Sequence, residues 1–451
     1  MIDLDRALYH SLFTPVAAAM EWYGVPIDVD TLHRLRPHWT DIQDKLIAHI
    51  DKDYVANVQG ERRGIYEGRT FKEAVFAAWL DDEGIPWPRL ESGHLNLEDK
   101  TFRDIARTYP TKIGPLRELR HALSQLRLDD LAVGPDSRNR VLSSYFRART
   151  SRSQPSNSRG IFGASVWIRG LIKPEPGMGL IVSDYSQQEF GTGAGLSRDP
   201  AMMRAYSLGD AYLGFAVEAG AVSAEAAARY LYRKGNGLPL DAEDLVIDAI
   251  RELYKPVVLS IQYGRGENAL ARTLDMQPIR ARHLIRQSHD AFKVFWDWSD
   301  ARVRYALLNR QTSTVFGWPL HLPPDSIEEV GGRIQIKSPN VRSLQNFAMQ
   351  ANSAEETRLA ARMAYEAKVR VLLTIHDAIA AEAPLEDLDR TKAILEECMI
   401  EASRIVLDGF ALRVDTKIIR HPDRYMDKRG KKMWDHVMVL LDEIEGAKAA
   451  A

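Results

Sequence analysis

Two aspartates far apart in the chain each close an apolar, partly β-branched run. Asp184 follows Leu180-Ile181-Val182-Ser183, and Asp377 follows Leu372-Leu373-Thr374-Ile375-His376. Runs of this length and composition read as short buried strands, so both carboxylates should emerge at a strand end or a turn. A pair like that can hold divalent cations. Magnesium is a hard ion that needs only one or two protein carboxylates when a substrate supplies phosphate oxygens. The whole reading requires the fold to bring the two within a few ångströms of each other.

Groups that suit phosphate lie between them. Arg251, Lys255, Leu259 and Tyr263 recur at a constant spacing of four. On a helix this places them along one slowly drifting stripe, two cations at one end and an aromatic ring at the other. Pro256 interrupts the stretch and predicts a kink. A nucleoside triphosphate fits such a stripe.

These three segments, in this order, resemble motifs A, B and C of the family A DNA polymerases of the bacterial polymerase I and bacteriophage type. Asp184 to Glu189 resembles motif A, Arg251 to Gly264 motif B, and His376-Asp377 motif C. With gaps, the resemblance runs from about Ala18 to the C-terminus. It implies an α+β fold: a right-hand polymerase with an antiparallel-sheet palm, helical fingers and a helical thumb. It divides the chain into residues 1–137 (lead-in and thumb), 138–205 (first part of the palm), 206–335 (fingers) and 336–451 (second part of the palm and C-terminal tail). Strands are expected around Ile161 and over Leu180 to Ser183, with a helix beginning after Asp184.

The implied activity is template-directed, primer-dependent DNA synthesis from dNTPs. Asp184 and Asp377, with the backbone carbonyl of Tyr185, would hold two Mg2+ ions roughly 3.5–4 Å apart, with Mn2+ as a possible substitute. Arg251 and Lys255 would clamp the β and γ phosphates, and Lys255 could protonate the leaving pyrophosphate. Gln187, Glu189, Leu259 and Tyr263 complete the nucleotide site. Glu189 matches the family's steric gate, packed against the sugar so that a 2′-hydroxyl clashes or loses its solvation.

From Arg138 to Lys173 the chain carries eight basic residues and no acid, a composition suited to a phosphate track. The resemblance assigns DNA contacts to Arg149, Arg152, Gln154 and Asn157, leaving open which of Arg149 and Arg152 reaches the minor groove. Ser338-Pro339 is a favourable helix start. In the helix that follows, Arg342, Asn346 and Gln350 share one face and match the family's template and primer contacts. His376 would orient primer or backbone rather than bind metal.

Three positions depart from the pattern: Gly191 where motif A commonly ends in arginine, Leu259 where motif B usually has an aromatic, and Ala378 where motif C usually has glutamate. Activity is expected to persist, with fidelity and sugar discrimination the properties most exposed to change.

With 451 residues, 45% apolar and 27% charged, the composition is that of a globular protein of several domains. Cys398 is the sole cysteine, which excludes an internal disulfide. No signal peptide or membrane span is legible, so a cytoplasmic, monomeric protein with primer-template DNA and dNTPs as partners is expected. The short stretch before Leu12 also predicts a polymerase without proofreading. The alternatives are a single-subunit RNA polymerase, which Glu189 disfavours, and a catalytically silent nucleic-acid-binding protein of the same fold, which would have no reason to tolerate clustered carboxylates.

Overall fold

The computed structural model describes residues 4–449 apart from 125–127, 129–130, 141, 157–159, 164, 263, 265, 275, 324–326, 331–332 and 337–339. Asn157, Tyr263 and the Ser338-Pro339 helix start therefore lie outside the described residues. The chain forms two compact units, each discontinuous in sequence. The first comprises Met1–Tyr23, Ser143–Gln154 and Met178–Ile418, and the second Gly24–Leu142, Pro155–Gly177 and Ile419–Ala451.

The first unit holds a four-stranded sheet of β1 (Met178–Tyr185), β2 (Arg370–Ile375), β3 (Ala378–Pro384) and β4 (Val414–Arg420), in the spatial order β2-β3-β1-β4. The pairs β2/β3 and β3/β1 are antiparallel. The strand expected at Leu180 to Ser183 is thus the interior strand β1. Its period-two alternation buries Ile181, Ser183 and Tyr185 on one face, while Asp184 is exposed on the other. The β2/β3 hairpin turns through two residues, His376 and Asp377, between the paired Ile375 and Ala378. Its tightness puts His376 at a φ of 54°, the left-handed value that mirror-image hairpin turns need at their first position.

Of the helices α1 (Gln188–Ser197), α2 (Ala211–Glu218), α3 (Ala242–Gln262), α4 (Asn340–Glu366) and α5 (Leu388–Val406), α4 and α5 pack on this sheet, α1 packs on α4, and α2 packs on α3. Tyr185, Phe190, Phe215, Met349, Ile379 and Met399 belong to one continuous apolar core. Helix α3 continues past Pro256 to Gln262. The lost N–H costs one hydrogen bond, and burial of Ile247, Tyr254, Val257, Val258 and Ile261 along one side holds the helix together.

The long helix α4 is buried on most sides over its central turns, and its Asn352, Ser353, Glu355, Glu356, Thr357 and Arg358 are all inaccessible. Buried polar groups need partners. Glu356 accepts from Gln188 Nε2 (2.8 Å) and Thr192 Oγ1 (3.0 Å) of α1. Thr314 Oγ1 donates to Glu355 at 2.7 Å, and Arg358 donates to the carbonyl of Ser151 at 2.7 Å. Helix α1 is thereby keyed to α4 by polar bonds as well as by apolar packing.

In the second unit, the helix Val29–Asp51 is capped by Asp28, whose carboxylate accepts from Thr31 N at 3.1 Å. It is joined to the helix Lys428–Ala449 by Arg34, which donates to Glu445 and Asp442. A smaller core gathers Tyr54, Phe76, Trp79 and Phe102. Ile161, expected on a strand, is buried in a turn instead. Its N–H donates to the Asn139 side chain at 2.9 Å, so a side chain rather than a ladder satisfies the backbone. No helix among the described residues is long and apolar enough to cross a membrane.

Candidate active site

The register of the sheet decides where the two aspartates go. Ala378 pairs with Asp184 across β3 and β1, and the amide of Tyr185 donates to the Asp377 carbonyl at 3.1 Å. The hairpin turn is therefore laid directly against the end of β1, and the two carboxyl groups come within hydrogen-bonding reach of each other. Tyr185 fixes this strand end from below, its buried hydroxyl donating to Met399 O at 2.6 Å. Burial first, and then the adjoining Asp377 charge, push the Asp184 carboxyl up to about 7. Asp415 adds to the effect and Lys417 opposes it. Two acids held this close repel unless a proton or a cation sits between them.

Among the described residues no three His, Cys, Asp or Glu side chains group closely enough to cage a metal alone. A pair of carboxylates of this kind fits magnesium only when substrate oxygens complete the shell.

Asp415 was not singled out from the sequence. It lies on β4, next to β1 in the sheet, and accepts from Ser186 Oγ at 2.6 Å. Its signal was weak: one acid in an alternating strand with no motif around it. Tyr212, on α2, was also missed. Its hydroxyl is raised by burial and by Asp210, and both Arg251 and Asp377 act on it electrostatically. The Arg251 guanidinium stands 5.6 Å over its ring. Tyr212 thus lies between the aspartate turn and the basic helix.

On α3, Arg251 is not the free cation its spacing suggested. Its Nε donates to Asp210 at 2.7 Å and its Nη1 to Glu252 at 2.6 Å, while its Nη2 bonds to no described residue. Asp210 also caps α2, so Arg251 ties the two helices together. Lys255 is exposed with no carboxylate partner among the described residues, and Leu259 is exposed beside it. No hydrogen bond or ion pair joins Lys255 to Asp184 or Asp377 among those residues.

Motif A turns sharply after its strand. Gln187 sits at a left-handed φ of 48° as the cap of α1, and its Oε1 accepts from Arg413 Nη2 at 3.0 Å and from Ala211 N at 3.4 Å. Glu189, in the first turn of α1, accepts from Arg152 Nη2 at 2.8 Å. Gly191 explains itself: a Cβ there would stand 2.5 Å from Leu412 Cδ2 and 2.8 Å from Tyr206 Cε2. No arginine fits that position.

Of the basic segment, most charges are already engaged. Arg138 is buried and bonds Glu175 and the Gly24 carbonyl. Arg140 pairs with Asp136, Arg169 with Asp427, and Lys173 lies 4.0 Å from Asp28. Arg147, Arg149 and Gln154 are exposed, and Arg152 is held on Glu189. The Arg149 carbonyl accepts from Trp318 Nε1 at 3.0 Å. On α4, Arg342 is exposed and packs on Gly264, where a Cβ would meet its Cγ at 2.9 Å. Asn346 and Gln350 follow, half-buried, and His376 is exposed at the hairpin tip.

The family model described as DNA polymerase family A matches residues 158–421. The chain belongs to that family. It is 24% identical over 427 residues to DNA polymerase I of Rhizobium leguminosarum, covering 89% of this chain and 39% of that protein. With DNA polymerase I of Aquifex aeolicus (strain VF5) it shares 22% identity over 433 residues, covering 91% of this chain and 66% of the relative. The chain thus spans from about two fifths to just under two thirds of these relatives. Its fold is similar to that of the POL domain of Pol1 from M. smegmatis in complex with DNA primer-template and dNTP. That match has a TM-score of 0.68 and 20% identity, over 91% of this chain and 69% of that one.

Proposed function

We propose that this member of DNA polymerase family A extends a DNA primer on a DNA template, adding dNTPs by in-line displacement at the α-phosphorus. The observation that supports it most is the pairing of β1 with the hairpin strand β3, which sets Asp184 beside Asp377. Tyr212 links that turn to Arg251 on the basic helix. Two divalent ions held by Asp184, Asp377 and the Tyr185 carbonyl, magnesium or manganese, would supply Lewis-acid charge that acidifies the primer 3′-hydroxyl and neutralises the triphosphate.

The chain's own groups do the rest. The exposed Lys255 and the Nη2 of Arg251 offer cationic donors to the β and γ phosphates, where charge grows as pyrophosphate departs. Lys255 can give that leaving group its proton. Tyr212 offers a phenolic donor to the same oxygens. Gln187, fixed by Arg413, and Leu259 border the nucleotide, with Tyr263 completing the stripe. Glu189 guards the sugar 2′ position, which favours deoxynucleotides. Arg149, Arg152, Gln154, Arg342, Asn346, Gln350 and His376 line the path of primer and template. We assign the sheet to the palm, the helices of residues 206–335 to the fingers, and residues 1–137 to the thumb and its lead-in.

The test is extension of a labelled primer on DNA with Mg2+, comparing dNTPs with rNTPs. Preferential dNTP addition is expected. Preferential rNTP addition would favour the RNA polymerase alternative, and binding of primed DNA with no extension would favour the silent one.

A further inference from the structure

One ion pair joins two residues whose functions were separately assigned. Arg152 comes from the segment that precedes β1, and Glu189 from the first turn of α1. Their contact is a charge-assisted hydrogen bond, Nη2 to Oε1 at 2.8 Å. Both side chains are sheltered, at 24% and 17% exposure, so solvent screens the pair less than it would a surface bridge. The Arg152 Nε is buried and has no partner among the described residues. No other hydrogen bond or ion pair reaches the Glu189 carboxylate among the described residues.

Resting on the reading of Glu189 as a sugar gate, we propose that Arg152 is the positioning residue of that gate. Its ion pair holds the Glu189 carboxylate in place against the sugar. A glutamate in the first turn of a helix has several staggered rotamers open to it. Without the arginine the carboxylate swings away, or turns to accept a bond from a 2′-hydroxyl, and a group that excluded a ribose becomes one that tolerates it. Arg152 then acts on sugar choice through Glu189.

The experiment measures single-nucleotide addition of a dNTP and the matching rNTP on one primed DNA template, and takes the ratio of their kcat/KM values. The proteins are wild type, Arg152→Ala, Arg152→Lys, Glu189→Ala and the Arg152→Ala/Glu189→Ala double variant. Arg152→Ala should lower the dNTP to rNTP ratio by about tenfold or more, the effect expected from one lost charge-assisted hydrogen bond. Arg152→Lys should recover part of it, and the double variant should match Glu189→Ala because the two act as one unit. If Arg152→Ala slows both sugars equally and leaves the ratio intact, the arginine only contacts DNA and the proposal is overturned. It is also overturned if the double variant loses the product of the two single effects. A Glu189→Ala variant that keeps the wild-type ratio removes the gate on which the proposal rests, and a wild type that extends no primer removes the proposed function itself, so each failure is distinguishable.

Discussion

Glu356 offers the sharpest energetic consequence of the fold. It is wholly buried in α4, where it accepts hydrogen bonds from Gln188 and Thr192 of α1. Burial pushes its carboxyl from an ordinary 4.5 up to about 8, with those two bonds opposing the shift. The folded protein therefore keeps Glu356 protonated at pH values where the unfolded chain has already ionised it. The sign follows from the raised value: the stability this group contributes is complete below about pH 4.5 and is lost as the pH climbs toward about 8. The slope is about 1.4 kcal/mol per pH unit, and the full span about 5 kcal/mol. Glu356→Gln keeps the volume, stays neutral, and can accept from Gln188 while donating to Thr192. Urea denaturation of both proteins between pH 5 and 9 should show near-equal stability at the acid end. The variant should gain steadily on wild type up to about pH 8, and the difference should then level off. Parallel curves would refute the argument, because they would mean that Glu356 ionises as easily folded as unfolded.

Three further outcomes follow from particular contacts. Lys255→Ala removes the exposed cation of α3 and should lower kcat/KM for dNTPs by about 10²-fold, mostly through kcat, measured by steady-state extension; an unchanged value would remove Lys255 from the site. Gly191→Arg, which restores the usual end of motif A, forces atoms against Leu412 and Tyr206 and should destabilise the protein by about 1–3 kcal/mol, read from the denaturation midpoint. Arg138→Met leaves the Gly24 carbonyl unpaired and should cost about 1–3 kcal/mol; because Arg138 is buried, the salt dependence of DNA binding should not change.

What the sequence made legible was local. The β-branched run before Asp184 is the strand β1, and the four-residue spacing of Arg251, Lys255 and Leu259 is a helix. The two-residue turn that carries Asp377 follows from the runs on either side of it. Contacts between distant segments were not legible. Arg251 reads as a free cation until Asp210 is found 2.7 Å away, and the basic run from Arg138 reads as unpaired until its acids arrive from Asp28, Glu175 and Asp427. Pairing of charges across long sequence separations leaves no periodicity to read. The buried polar row of α4 leaves no mark in the sequence either: acids and arginines usually lie at the surface, and partners on other segments are what offset the burial of Glu355, Glu356 and Arg358.

The account stands on Asp184 and Asp377 acting together at the end of β1. The most direct measurement is the single-turnover rate of dNTP addition to a primed DNA template in Mg2+, for wild type, Asp184→Asn, Asp377→Asn and the double variant. Each single change should slow addition by about 10³-fold, and the double variant should be little slower than either, as expected of groups that work as a unit. A single variant with the wild-type rate, or a double variant whose loss is the product of the two, would contradict it.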